Sequence, residues 1–149
     1  METQSFEIVD AETFTDYEQV FRHIHQTLSE KGVVKPSYFE ALKAREAEYP
    51  TGIELDGYAV AIPHCDVEHA NRPFIYILRL PQPIKVQQAD GDELLDVQLV
   101  INLVVTDPLE QLRLLKTLFS QLQDNNFYQA LLTLPIAEAK AVFQSTINP

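Results

Sequence analysis

The chain has 149 residues, the length of one ordinary domain able to bury roughly two-thirds of its unfolded surface, which argues against two full domains. A hydrophobic fraction of 46% beside 22% charged residues marks a globular soluble protein and not a disordered tail. With 22 acidic against 11 basic residues the net charge is −11, which repels nucleic acid and anionic lipid and favours a partner with a basic face.

Phe6 to Val9 reads as a first strand, and Thr15 followed by Glu18 has the form of a capping box opening a helix. Val20, Phe21, Ile24 and Leu28 fall at helical spacing, with Gly32 as the stop. A second helix opens at Ser37 with Glu40 and is ended by Pro50, which places Arg45 and Glu46 near its C-terminal end. Thr51 and Gly52 lead into a polar turn ending at Gly57, and Tyr58 to Ile62 reads as a buried strand halted by Pro63. After an irregular stretch from His64 to Arg72, Phe74 to Leu80 reads as a strand that Pro81, Gln82 and Pro83 break. A hairpin-like region around Asp90 and Gly91 precedes the strongest strand, Val97 to Val105. Asp107, Pro108 and Glu110 then supply an N-cap, an N1 proline and an N3 acid to a third helix, with Leu112, Leu115, Phe119 and Leu122 as its core stripe. Shorter helices over Tyr128 to Leu132 and Ile136 to Phe143 complete the chain. This order predicts an α/β protein with a mixed β-sheet flanked by helices on both faces.

Residues 1–149 are read as a single domain, since no Gly/Ser or charged linker divides them and the four glycines lie apart. Met1 to Asp10 carries three acids and no basic residue, and the most apolar run, Leu99 to Val105, is short and interrupted by Asn102, so neither a signal peptide nor a membrane span is expected. The single cysteine, Cys65, excludes a disulfide framework and a Cys-rich zinc pattern and fits a reducing cytoplasm. There is no glycine-rich phosphate loop, His-Glu-x-x-His pair, nucleophile elbow or Rossmann fingerprint in the sequence.

One local pattern stands out. In Ala59-Val60-Ala61-Ile62-Pro63-His64-Cys65 an imidazole ends a buried strand, where helix-covered sheets usually place their chemistry, and the proline before it restricts the backbone. On its own His64 is open to four readings: nucleophile, general base, metal ligand or hydrogen-bonded strand-end residue. His64, Cys65, Asp66, Glu68 and His69 match no standard metal spacing, and consecutive residues on an extended segment point to opposite sides, so no metal is expected. Cys65 reads as a small buried side chain in preference to a thiol nucleophile.

Arg45, Glu46, then Pro50, Thr51, Gly52, Ile53, then Ala61, Ile62, Pro63, His64 resemble the central motif of the fructose/mannitol-type enzyme IIA domains of the bacterial sugar phosphotransferase system (PTS). Arg45 to Gly52, His64 to Cys65 and Gln88 to Asp90 look most like the galactitol-type branch, and the resemblance spans nearly the whole chain. It implies a three-layer sandwich and a cytoplasmic phosphoryl carrier with no cofactor. In that family the histidine matching His64 accepts phosphate from the phosphohistidine of HPr and passes it to a cysteine of the cognate enzyme IIB, while the membrane component IIC transports the sugar. A relay between two protein side chains needs neither an ATP pocket nor a metal. It needs a neutral imidazole nitrogen in line with the donor phosphorus and cations or hydrogen-bond donors around the moving oxygens.

The resemblance assigns that second role to Arg45, whose fork of donors can reach two phosphate oxygens, although a solvated helix charge paired with a glutamate is the plain alternative. Thr51 is a candidate donor beside the site or a simple turn residue. Many family members carry a second histidine at the start of the third helix, where this chain has Gln111, whose amide can orient His64 or donate to phosphate. His69 is a candidate for a secondary role, whereas His23 and His25 read as surface or packing residues. Ile53, Ile62 and Leu109 are expected to rim the site and dock HPr and IIB. Two other functions are weighed beside transport: a regulatory protein of the nitrogen-PTS kind whose phosphorylation state controls partner binding, and an inactive binder that keeps the fold.

Overall fold

The computed structural model describes residues 5–147. Five strands form one sheet: β1 (Phe6–Asp10), β2 (Gly52–Glu54), β3 (Ala59–Ala61), β4 (Phe74–Gln87) and β5 (Leu94–Val104), in the order β1-β4-β5-β3-β2. β1 runs parallel to β4 and β3 parallel to β5, while the β4/β5 and β2/β3 pairs are antiparallel, so the sheet is mixed as expected. Helices α1 (Tyr17–Glu30) and α2 (Tyr38–Glu48) cover one face; α3 (Pro108–Leu122), α4 (Asn125–Thr133) and α5 (Ile136–Ile147) cover the other.

Alternation along the central strands sorts their side chains between the two layers. Tyr76, Leu78 and Val100 pack with Phe21, Ile24, Leu28 and Leu42 of α1 and α2. Ile75, Ile77, Leu99 and Ile101 pack with Leu114, Leu118, Leu131 and Phe143 of α3 to α5. Both faces of Phe74 to Leu80 in β4 and of Leu99 to Val104 in β5 are therefore buried, which is why these segments read as near-continuous apolar runs. The polar exception, Asn102, is fully buried and exchanges hydrogen bonds with the Tyr38 hydroxyl, fastening the start of α2 to the sheet. Arg79 of β4 grips Asp10 through two hydrogen bonds of 2.7 and 3.0 Å and donates to the carbonyls of Leu131 and Leu134 at the end of α4. Among the described residues no helix is long and apolar enough to cross a membrane.

Several expectations need correction. The α1 N-cap is Asp16 and not Thr15: its carboxylate accepts the Gln19 N–H at 2.9 Å, and the Gln19 side chain accepts from the Thr15 N–H. Ser37 begins α2 without a side-chain cap, because its hydroxyl is taken by His69. The segment after Thr51 is a strand and not only a turn, since Gly52 to Glu54 pair with β3. A Cβ on Gly52 would lie 2.5 Å from the Gln87 carbonyl oxygen, so glycine lets β2 press against the end of β4. Pro81 and Pro83 do not end β4. They sit exposed where the β4/β5 register shifts between Arg79 and Ile84, a bulge at which a missing N–H costs no ladder bond.

The core stripe of α3 is also displaced. Leu122 is buried as expected, but its buried companions are Leu114 and Leu118, whereas Leu112 is 50% and Phe119 51% exposed. The helix carries two apolar stripes at helical spacing, and contact with the sheet decides which one is core. Leu118→Ala is therefore expected to cost about 3 kcal/mol in chemical denaturation. Leu112→Ser should stay within about 0.5 kcal/mol of the wild type, an outcome that the stripe first expected would reverse.

Candidate active site

His64 lies three residues beyond β3, yet the backbone there is still held on both sides. Ile62 N–H donates to the Thr51 carbonyl at 3.4 Å, and the Pro63 carbonyl accepts Leu103 N–H at 3.1 Å. The strand end is thus pinned between β2 and β5, and Pro63 adds a fixed φ. The imidazole is buried, with the residue only 9% exposed. Its Nδ1 stands 2.8 Å from the Ile62 carbonyl oxygen. A carbonyl can only accept, so Nδ1 carries the proton and Nε2 of the neutral ring keeps its lone pair.

Burial holds the His64 pKa below its ordinary value of 6.5, and the Arg45 guanidinium acts in the same direction, against the Ile62 carbonyl and Asp66. The ring is neutral at pH 7. It lines a cavity of about 400 Å³ whose walls include Thr51, Ile53, Ile62, Leu115 and Phe119, together with Lys116. Two members of the α3 stripe that sequence periodicity assigned to the core, Leu115 and Phe119, are therefore a wall of the site. The signal was present, but a leucine-rich helix with two stripes does not say which faces the sheet.

Arg45 stands in the last turn of α2 with its guanidinium 4.6 Å above the ring of Tyr49. Its Nη1 is buried with no hydrogen-bond partner, a donor disposed to take an acceptor oxygen. Arg45 lines a second cavity of about 230 Å³ with Cys65, Asp66 and His69, so it approaches His64 from the side opposite α3. His69 lines this second cavity and not that of His64, and its Nδ1 lies 2.8 Å from the Ser37 hydroxyl.

The remaining candidates are engaged in structure. Both donors of Thr51 are taken by the Glu46 carboxylate, its N–H at 2.6 Å and its hydroxyl at 2.7 Å. Gln111 donates to the Cys65 carbonyl at 3.0 Å, fixing the loop after His64. Burial pushes the Cys65 thiol up to about 12, which removes it as a nucleophile near neutral pH. Of the expected rim, Ile53 and Ile62 line the cavity, while Leu109 is 77% exposed at the start of α3.

A buried neutral histidine at a pinned strand end, with an unpaired guanidinium on one side and an apolar groove on the other, is suited to carrying a group between proteins. Comparison with known proteins agrees. The family profile described as phosphoenolpyruvate-dependent sugar phosphotransferase system, EIIA 2, matches residues 4–147. The galactitol-specific EIIA component of the PTS from Escherichia coli strain K12 is 45% identical over 131 residues, covering 88% of this chain and 87% of that protein. Among solved structures, the complex of enzyme IIAMtl and phosphorylated enzyme IIBMtl from Escherichia coli matches with a TM-score of 0.74 at 19% identity, over 97% of each chain. The nitrogen regulatory protein IIA-Ntr from Neisseria meningitidis matches with a TM-score of 0.70 at 21% identity, over 99% of this chain and 95% of that one. The chain belongs to the EIIA type 2 family of the sugar phosphotransferase system. As an enzyme IIA component it is a phosphotransferase of sugar transport.

The lowered His64 pKa has a testable sign. Well above pH 6.5 the ring is neutral in both the folded and the unfolded chain, so it adds no pH dependence there. As pH falls through 6.5 the unfolded chain takes up a proton that the folded site refuses, and the contribution of this residue to stability declines. In an NMR titration the His64 ring should titrate below 6.5, with Nδ1 protonated throughout the neutral range. A midpoint above 6.5 would contradict the burial argument.

Proposed function

We propose that Nε2 of His64 takes a phosphoryl group from the phosphohistidine of HPr and hands it to a cysteine of a cognate enzyme IIB. The observation that carries this reading is the Nδ1 bond to the Ile62 carbonyl, which leaves the Nε2 lone pair as the free nucleophile of the ring. Residues 1–149 act as one EIIA domain in the cytoplasm, and the sugar is phosphorylated during transport through the membrane component IIC. The 45% identity to a galactitol-specific component supports galactitol as the substrate of the system. It also favours transport over regulation, since the likeness to IIA-Ntr at 21% identity is one of fold.

The chemistry follows from the site. The Nε2 lone pair attacks phosphorus as the P–N bond of the donor phosphohistidine breaks, and the donor imidazole departs with the bonding electrons. The proton on Nδ1 stays where it is, so the phosphorylated ring carries a positive charge against the Ile62 carbonyl. Burial and Arg45 oppose that charge, which makes the phosphorylated ring a good leaving group for the next transfer, to a thiolate. Arg45 offers its unpaired donors to the equatorial oxygens of the phosphoryl group in flight. Leu112, Leu115 and Phe119 supply an apolar rim beside the cavity on which HPr and IIB dock in turn.

Incubation with phosphoenolpyruvate, enzyme I and HPr should add one acid-labile phosphate to the wild type, read by mass spectrometry, and none to His64→Ala. Arg45→Gln should accept phosphate about 10² to 10³ times more slowly in rapid-quench kinetics, the usual loss for one transition-state donor. A wild-type chain left unmodified by a competent donor would defeat the proposal.

A further inference from the structure

A buried carboxylate adjoins the arginine of the site, and the phosphoryl chemistry makes no use of it. Glu46 is 7% exposed, and its two oxygens each receive a hydrogen bond from the same residue, Thr51, five positions further on. Buried charges contribute little to stability against an apolar alternative of the same shape, but they demand a definite geometry from their partners. Here the geometry leads to the nucleophile. The Thr51 carbonyl accepts Ile62 N–H, and the Ile62 carbonyl accepts Nδ1–H of His64. Three successive contacts thus connect the neighbour of Arg45 to the imidazole ring, and Thr51 itself walls the His64 cavity.

We propose that Glu46 and Thr51 form a latch that positions His64 and Arg45 relative to each other for phosphoryl transfer. The latch has two effects. It holds the end of α2 against the edge of β3, setting where the guanidinium stands with respect to Nε2. It also turns the Glu46 carboxylate toward Thr51 and not into a hydrogen bond with Arg45, whose Nη1 remains open to phosphoryl oxygens. Glu46 and Thr51 touch no reacting atom; they are positioning residues. The inference rests on the phosphoryl-carrier reading of His64.

The test compares Glu46→Gln, Thr51→Val and Thr51→Ser in the full chain. Each is measured for transfer from phospho-HPr under saturating and subsaturating donor, and for the His64 tautomer by ¹⁵N NMR. Glu46→Gln replaces an acceptor with an amide that faces donors, and Thr51→Val removes the hydroxyl at nearly constant volume. Both should lower the transfer rate at saturation about tenfold or more while the KM for phospho-HPr changes less than about threefold, since positioning acts on the chemical step and not on docking. Both should also admit a visible population of the Nε2–H tautomer. Thr51→Ser keeps both donors and should restore transfer to within about twofold of the wild type.

Transfer within about twofold of the wild type in Glu46→Gln and Thr51→Val, or a loss of rate with an unchanged tautomer, would overturn the latch. Thr51→Val serves as the test if the carboxylate variant fails to fold. Phosphate uptake by His64→Ala would instead defeat the carrier reading, an outcome distinguishable from failure of the latch.

Discussion

The site depends on one hydrogen bond, that between Nδ1 of His64 and the carbonyl of Ile62, two residues back in its own chain. It selects the tautomer, orients the ring and directs a lone pair outward in a single contact. Such a bond is useful only if the carbonyl cannot turn away. Ile62 is held by Thr51 on the β2 side and the following proline by Leu103 on the β5 side, so the acceptor belongs to the framework of the sheet. A nucleophile carried on a free loop would lack this support.

The strand order explains how so short a strand can do this. β3 has three residues, too few to be stable by itself, but it lies between a long partner, β5, and the small strand β2. Both neighbours arrive by chain reversals that the sequence encodes, β2 after the Pro50 stop of α2 and β5 after the hairpin around Asp90 and Gly91. The parallel β3/β5 pair then hands the chain directly to α3, whose N-terminal half carries Gln111 to the loop beyond His64. The two cationic side chains of the site consequently come from opposite layers, Arg45 from the α2 side and Lys116 from α3.

Much of this was legible in the residues, and the exceptions have physical causes. An imidazole after an apolar run ended by proline announced the site, and the Asp107-Pro108-Glu110 signal located α3 correctly because capping is local chemistry. The face that α3 buries was not legible, since Leu112 and Phe119 are as apolar and as regularly spaced as Leu114 and Leu118. β2 was obscured by its length and its glycine, because its strand character comes from pairing with Ala61 and from close approach to Gln87. The continuation of β4 through two prolines depends on a bulge that no local pattern reveals. The tautomer of His64 was beyond any sequence reading, because its partner is a backbone carbonyl that every sequence possesses. Thr51 and Gln111 were candidates for direct support of His64, but the side chain of one serves Glu46 and that of the other the Cys65 carbonyl.

The burial of Cys65 bears on fidelity. In the proposed relay a thiol directly follows the histidine that carries the phosphate, and the next acceptor is itself a cysteine, so an accessible thiolate here would be a rival acceptor within the same molecule. Burial keeps this sulfur protonated and out of reach at neutral pH. On that reading the phosphate has no internal thiolate on which to become stranded, and would wait on the imidazole for one that only another protein can bring.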